Sequence, residues 1–411
     1  MRLSRRRFLT LTAASAAVGA LNVPSATGIA KPVRKTNGMP MRKLGKTDDM
    51  LSILCFGGFH LCEAMPADAE HMLNYYLDQG GNFIETAVSY GNGDSERKIG
   101  RVMKTRRSEC FLSSKTHFRT KDEAASSIDT SLSNLQTDHL DNIFVHCLTT
   151  QDELDTVLGP NGAMEAILKA REAGKVRNIS VSAHNPEILF KALQAYPFDA
   201  MLEWMNYYDY FNFPMIFDQI VPYCLNKGIG MIAMKPVADG LLYRSPGNAF
   251  RWVWTLPITS IAAGNNNMAM LKTNIKHAKS FEPMDEDEKQ KLYRTAPEYM
   301  NYVCRQCDQC VKNDLGLDIK AIFEMEGYYD RQMYTGDVPD PAEYALRERL
   351  RFWFGNQAMA QERYAKLENK IPKKLDKRSI HGKCPYNIDV PRKLRIAAWK
   401  LTGDEDFIRD A

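Results

Sequence analysis

This chain has almost no charge bias once its first thirty residues are set aside. Those residues hold Arg2, Arg5, Arg6 and Arg7 and no acid, so removing them takes the formal charge from +4 to 0. Without a surplus of lysine and arginine there is no electrostatic footprint for nucleic acid. Long apolar runs are scarce as well. The only one of note ends near Leu21 and is too short to cross a hydrocarbon core of about 30 Å. No GxGxxG follows the first apolar run, which argues against a doubly wound dinucleotide fold.

What the N-terminus does hold is Ser4-Arg5-Arg6-Arg7-Phe8-Leu9-Thr10, an Ala-rich apolar stretch, and small residues at Gly28 and Ala30. A basic region, a short apolar region and a small-residue site describe a cleavable export signal. The paired arginines before Phe-Leu resemble the twin-arginine (Tat) signal, which is read by a receptor and serves proteins that fold before export. Residues 1–30 are therefore expected to be a signal peptide and the mature protein periplasmic or otherwise exported. An uncleaved anchor is the alternative.

Nine cysteines are present, and four form a pattern. Cys304-x-x-Cys307-x-x-Cys310 is followed far downstream by Cys384-Pro385. Three thiolates at this spacing with a distant Cys-Pro match the ligand set of a [4Fe–4S] cluster. A structural zinc needs four tetrahedral ligands and commonly pairs two CxxC units. The segments after the cysteines also agree, with Leu317-Asp318-Ile319 in one and Ile388-Asp389-Val390 in the other. They read as two copies of a ferredoxin motif, each partly erased. Asn313 and Asp314 replace one Cys-Pro, and Lys374, Lys377 and Ile380 lie near the lost triad. The survivors are the four that serve one cluster. Cys55, Cys62, Cys110, Cys147 and Cys224 have no regular spacing and read as small buried apolar side chains.

From residue 41 to about 280, short β-type runs alternate with helical patterns. The strand candidates are 51–57, 82–87, 110–116, 142–148, 176–182, 199–206, 230–237 and 258–264. Between them, segments such as the one holding Ala69, Met72, Leu73, Tyr76 and Leu77 carry one apolar face at helical period. Eight β/α units in about 250 residues predict a closed parallel (β/α)8 (TIM) barrel. Asp285 with Glu288 predicts a capping box that opens a helical region, 285–411, with no further strands. The fold class is thus α/β, a TIM barrel followed by a helical, ferredoxin-like iron–sulfur domain.

The barrel segment resembles the aldo-keto reductases. The resemblance is carried by Gly81-Asn82-Phe83-Ile84-Glu85-Thr86-Ala87-Val88-Ser89-Tyr90-Gly91, then Phe111-Leu112-Ser113-Ser114-Lys115, Leu140 to His146, and Lys175 to Ser182. It implies reduction of a carbonyl with a nicotinamide hydride. Tyr90 would be the general acid, Lys115 its electrostatic activator, His146 the group that orients the substrate oxygen, and Glu85 the partner of Lys115. The family has Asp where this chain has Glu85, a carboxylate one methylene longer. For the cofactor, NAD(P), the resemblance implies Ser182 and His184 at the carboxamide, with Gly264, Asn265, Asn266 and Asn274 around the adenosine phosphates. Near that loop only Lys272 is basic, so nothing supports a preference for NADP, and Leu202 replaces the usual Gln of the sixth strand. The implied partner is a carbonyl or alcohol substrate. The aromatic run Trp204 to Tyr210 reads either as a surface for stacking on a sugar or as barrel-rim packing. The N-terminal signal adds the Tat machinery. The cluster reads either as a structural pin for a helical cap over the barrel mouth or as an electron carrier with a redox partner. Two other readings stay open: a binding or scaffold barrel without nicotinamide chemistry, and a lyase or epimerase using Tyr90 and Lys115.

Overall fold

The computed structural model describes residues 34–242, 244–299, 301–330 and 357–408. The twin-arginine region, residues 1–30, lies outside the described residues. Eight parallel strands close a barrel: β4 (Leu54–Gly57), β5 (Phe83–Glu85), β6 (Phe111–Thr116), β7 (Leu140–Leu148), β8 (Val176–Ala183), β9 (Ala200–Trp204), β10 (Gly230–Met234) and β11 (Ser260–Gly264). Each predicted run supplies one of them. The ring closes through β11 on β4, with Ile261 opposite Leu54 and Gly264 opposite Gly57.

A small antiparallel sheet of β1 (Arg34–Thr36), β2 (Met39–Lys43) and β3 (Met50–Ser52) precedes the barrel and was not expected. The apolar run 51–57 is in fact divided between the two sheets. Ser52 pairs with Met41 in the small sheet, and Leu54 pairs with Ile261 in the barrel. Ile53 is the joint: its N–H donates to Pro40 and its carbonyl accepts from Ile261. Periodicity alone could not reveal the switch, because both halves are buried. Arg42 ties the sheet to the barrel, donating to the Ile258 and Trp254 carbonyls at 2.8 and 2.7 Å. Burial lowers its guanidinium to about 10.

The barrel is filled by Leu44, Phe83, Phe111, Phe144, Leu202 and Ile232 among others, and the helices pack their apolar faces outside. After the barrel, the Asp285/Glu288 capping box starts the helix Glu286–Thr295 as expected. Among the described residues beyond β11 there are helices and one isolated bridge, but no strand. The helices Ile319–Asp330, Gln357–Ala365 and Val390–Thr402 pack on one another. This unit docks on the loop after β9 through Tyr299, a fully buried ring stacked on Tyr208 at 6.1 Å with Phe211 against its edge at 5.6 Å. Phe213 and Tyr328 add a second aromatic contact at 4.9 Å.

Candidate active site

Four side chains predicted from sequence meet at the C-terminal strand ends, where barrel loops build sites. Glu85 closes β5 and Lys115 lies in β6, the neighbouring strand, and both are buried. The Lys115 ammonium donates to the Glu85 carboxylate, to the Thr86 carbonyl at 2.8 Å and to the Tyr90 hydroxyl at 3.0 Å. The longer side chain of Glu85 therefore still reaches its lysine. Burial works against the charge on Lys115, but Glu85 and Tyr90 outweigh it and hold the lysine above its ordinary value.

Tyr90 behaves differently from the simple expectation that Lys115 lowers it. Burial pushes the phenol up to about 12; Lys115 opposes this and Glu85 reinforces it. The hydroxyl is thus held protonated at neutral pH and can give its proton only as charge builds on an acceptor. His146, in β7, lies edge-on to the Tyr90 ring at 5.9 Å. Burial, then the Lys115 charge, holds its imidazole well below the usual value, so it is neutral. Its buried Nδ1 has no hydrogen-bond partner among the described residues.

The residues expected at the nicotinamide divide into two groups. Ser182 and His184 both engage Cys147 on the adjoining strand. The Cys147 N–H donates to Ser182 Oγ at 2.9 Å, and Cys147 Sγ lies 3.0 Å from His184 Nδ1. Cys147 sits at φ +54°, where β7 and β8 slip register. This corrects the reading of Cys147 as a plain buried apolar side chain: it is half-buried and paired with a histidine. Cys62 is likewise half-buried, whereas Cys55, Cys110 and Cys224 are buried. On the other side of the barrel, Asn274 donates to Asn265 Oδ1 at 3.0 Å, which shapes the loop after Gly264. A Cβ on Gly264 would lie 2.4 Å from the His60 ring, which would have to shift to admit it. Asn266 is exposed, and Asn267 caps the helix Met268–Lys279 by accepting from the Met270 N–H. Lys272, the one basic candidate there, lies over the Tyr75 ring at 5.6 Å. Leu202 belongs to the barrel filling.

Glu203 escaped the sequence reading. It is fully buried, its Oε1 accepts from the Trp204 N–H at 2.9 Å, and burial pushes its carboxyl well above the carboxylate range. Its place in an apolar strand offered no signal.

The four patterned cysteines lie in the C-terminal unit, with Cys304, Cys307 and Cys384 within electrostatic reach of Cys310. The thiols of Cys304 and Cys310 are raised to about 11 and about 12, by burial first; the charges of Cys307 and Cys384 add to both. The Gln306 N–H points at Cys304 Sγ at 3.4 Å, and Gln306 and Asp308, between the cysteines, hold φ of +54° and +64°. Gly382, at φ +92°, brings the Cys384 segment against Cys310; a Cβ there would meet the Gln309 carbonyl at 2.4 Å. The isolated bridge joins Asn313 to Ile380. The positions that lost their ligands in the two motif copies thus face each other, and His381 pairs there with Asp314 at 2.6 Å. Among the described residues, no three His, Cys, Asp or Glu side chains are arranged to hold a single metal ion.

The comparisons with known proteins fall on the barrel. The sequence profile of the Aldo/keto reductase family matches residues 53–299. The chain is 26% identical over 230 residues to the aldo-keto reductase yakc [NADP(+)] of Schizosaccharomyces pombe, covering 51% of this chain and 65% of that protein. It is 28% identical over 219 residues to L-galactose dehydrogenase of Arabidopsis thaliana, covering 49% of this chain and 66% of that one. It thus spans just under two thirds of these relatives' lengths. Among solved structures, the holo form of aldo-keto reductase AKR11C1 from Bacillus halodurans superposes with a TM-score of 0.54 at 22% identity, over 62% of this chain and 95% of that one, a likeness of fold. With the family profile covering more than half its length and the Tyr90, Lys115 and His146 constellation assembled at the mouth of a closed barrel, this chain belongs to the Aldo/keto reductase family.

Proposed function

We propose that this protein is an oxidoreductase that moves a hydride between a nicotinamide and a carbonyl or alcohol substrate. The observation that carries this reading is the Glu85–Lys115–Tyr90 chain, which links a buried carboxylate and ammonium to a protonated phenol at the barrel mouth. A bound nicotinamide would supply the hydride. Ser182 and the loop from Gly264 to Asn267, with its capped helix start, suit the carboxamide and phosphate ends of such a cofactor. That loop holds no lysine or arginine, and Lys272 lies over Tyr75, which favours NAD over NADP.

Within that frame the chain's own groups divide the work. Tyr90 gives its hydroxyl proton to the substrate oxygen as negative charge develops there. Lys115, 3.0 Å away, stabilises the phenolate left behind, and Glu85 keeps the lysine charged in a dry site. Neutral His146, beside Tyr90, hydrogen-bonds the same oxygen and fixes its angle. The sugar-type substrate class draws on the L-galactose dehydrogenase likeness, which matches half of this chain; the aromatic run after β9 does not support it, because Tyr207 and Tyr208 are buried against Tyr299 and Tyr210 stacks on Tyr293. The scaffold reading is disfavoured, because a retired site has no reason to keep an ammonium and a carboxylate buried together.

The second part of the proposal is one [4Fe–4S] cluster on Cys304, Cys307, Cys310 and Cys384. A single zinc ion draws four sulfurs to about 2.3 Å each. A cube sets its thiolates on four separate corners, so it needs them near one another but farther apart. The mutual influence of these thiols, the Gln306 N–H to sulfur contact and the left-handed residues between the cysteines support that fit. Such a cluster takes up and returns one electron. We further propose export through the twin-arginine route, which accepts proteins already folded around a cofactor. Free nicotinamide is scarce outside the cytoplasm, so this reading implies a dinucleotide bound before export and retained.

The test is direct. The purified protein is denatured, and the released material is analysed by absorbance and mass spectrometry, alongside iron and sulfide content. NAD(H) release, or micromolar binding on titration, is expected. Neither release nor binding would end the hydride reading. Cys384→Ser should remove the iron and the broad visible absorbance, and an intact spectrum in that variant would overturn the ligand assignment.

A further inference from the structure

Consecutive residues of a strand point to opposite faces, yet His146 and Cys147 both meet side chains at the barrel mouth. Phe144 fills the barrel and Val145 packs outside it, so alternation would send His146 inward and Cys147 outward. A bulge changes this. Val145 pairs with Val181 and Leu148 with Ala183, so β7 carries one residue more than β8 there. Bulges of this kind re-aim a side chain and are common beside active sites. Cys147 takes up the extra residue at φ +54°, a conformation that residues other than glycine rarely adopt. Arg119 holds the bulge, donating to the His146 and Cys147 carbonyls at 2.9 and 3.0 Å.

The turned side chain meets a base. Cys147 Sγ lies 3.0 Å from His184 Nδ1, and His184 stacks on Trp204, with the rings 5.8 Å apart and 12° from parallel. A nucleophile, a base within hydrogen-bond reach and a third group that orients the base are the parts that nucleophilic chemistry needs. Burial holds the Cys147 thiol above its ordinary value, against the charge of Arg119, so the sulfur is protonated at rest. It therefore needs a base at the moment of attack. Unlike Cys55, Cys110 and Cys224, it is only half-buried. Its neighbour His146 lies edge-on to Tyr90, and Cys147 is among the groups whose charge acts on the Tyr90 phenol. The thiol thus borders the space in which Tyr90 would bind a carbonyl oxygen.

We infer that Cys147 and His184 form a nucleophilic pair at the barrel mouth, a covalent site for α,β-unsaturated carbonyl compounds. This rests on the carbonyl-binding part of the hydride reading, Tyr90 and His146, and needs no nucleotide. The Cys147 sulfur bonds to the β-carbon while His184 Nδ1 takes the thiol proton. The π electrons of the C=C bond move toward the oxygen as an enolate, which the Tyr90 hydroxyl stabilises. The proton on His184 then passes through water to the α-carbon, and the carbonyl is restored. The net change is addition of S–H across a double bond, with nothing oxidised or reduced. A conjugated carbonyl is captured as a thioether at the same mouth where a saturated one is reduced.

The experiment treats the full chain, free of nucleotide, with methyl vinyl ketone and follows each cysteine over time by peptide mass spectrometry. Cys62 is the internal reference, because it is also half-buried but donates to the Phe59 carbonyl at 2.8 Å. Cys147 should gain the adduct about 10²-fold faster than Cys62, the lower end of what a positioned base contributes. His184→Phe, which keeps a ring against Trp204, should bring Cys147 down to the rate of Cys62 and leave Cys62 unchanged. A Cys147 that reacts no faster than Cys62, or whose rate is unmoved by His184→Phe, would overturn the inference. If that variant does not fold, His184→Gln makes the same comparison. Either failure leaves the hydride reading standing, because nucleotide binding is measured separately. A fast Cys147 in a chain that binds no nucleotide would remove the hydride reading alone.

Discussion

Glu85 is where this chain departs from its family's pattern, and its geometry shows how a one-methylene change is absorbed. The carboxylate still meets Lys115, which also keeps the Thr86 carbonyl and the Tyr90 hydroxyl. Glu85→Ala would leave the ammonium buried and uncompensated, a loss of about 3–5 kcal/mol by denaturant unfolding. Tyr90→Phe removes the proton donor but little packing. It should lower turnover by about 10²–10⁴-fold with an unchanged melting transition. His146 leads to a pH prediction. Its folded-state value is depressed, so burial favours the neutral ring, and the linked stability is intact above about pH 6.5. As pH falls below that value the unfolded state takes up a proton that the folded state refuses. Stability should then drop by up to about 1.4 kcal/mol per pH unit. His146→Gln should flatten that part of the profile in melts between pH 7 and pH 5. A steeper profile in the variant would contradict the assignment.

At the scale of elements, the eight barrel strands were legible because each is a short apolar run between helical patterns. The small β1–β3 sheet was not, because β3 and β4 share one apolar run and the break at Ile53 is made by partners distant in sequence. The cysteine segments show a further limit. Spacing pointed to four ligands and two degenerate motif copies. Only folding brings Asn313 opposite Ile380, so that the two sites lacking cysteine close on each other. Gly382 makes that approach possible, at a φ that favours glycine and a distance that admits no Cβ. Gly382→Ala should cost about 1–3 kcal/mol of local strain and lower the iron bound per chain, as read by a colorimetric iron assay. Full iron occupancy in this variant would show that the segments tolerate separation.

Across the whole molecule, the barrel and the C-terminal unit are joined by aromatic rings, with Tyr299 buried between Tyr207, Tyr208 and Phe211. Tyr299 also lies under Arg305, whose guanidinium is 4.6 Å from its ring and 4.8 Å from that of Tyr386. The residue after Cys304 is thus connected through Tyr299 to the loop that follows β9. Tyr299→Ala should cost about 3–5 kcal/mol, the range for truncating a large buried aromatic. It should also uncouple the two units, giving two melting transitions in calorimetry where the parent shows one. A single transition at lower temperature would mean that other contacts hold the units together.

The sequence by itself determined the barrel, its strand order and the cysteine pattern, because each rests on local periodicity or on spacing along the chain, whereas the four-residue site came from the chain's resemblance to a known family. It also marked the oddities, Glu85 and Leu202, as departures from a known pattern. Tertiary structure alone decided what those departures do. Whether Glu85 reaches Lys115, whether burial outweighs Lys115 at Tyr90, and which base meets Cys147 depend on through-space distances and on exclusion of water. Charges and thiols act over a few ångströms of space regardless of their separation in sequence, so a linear reading finds the groups and the fold sets their chemistry.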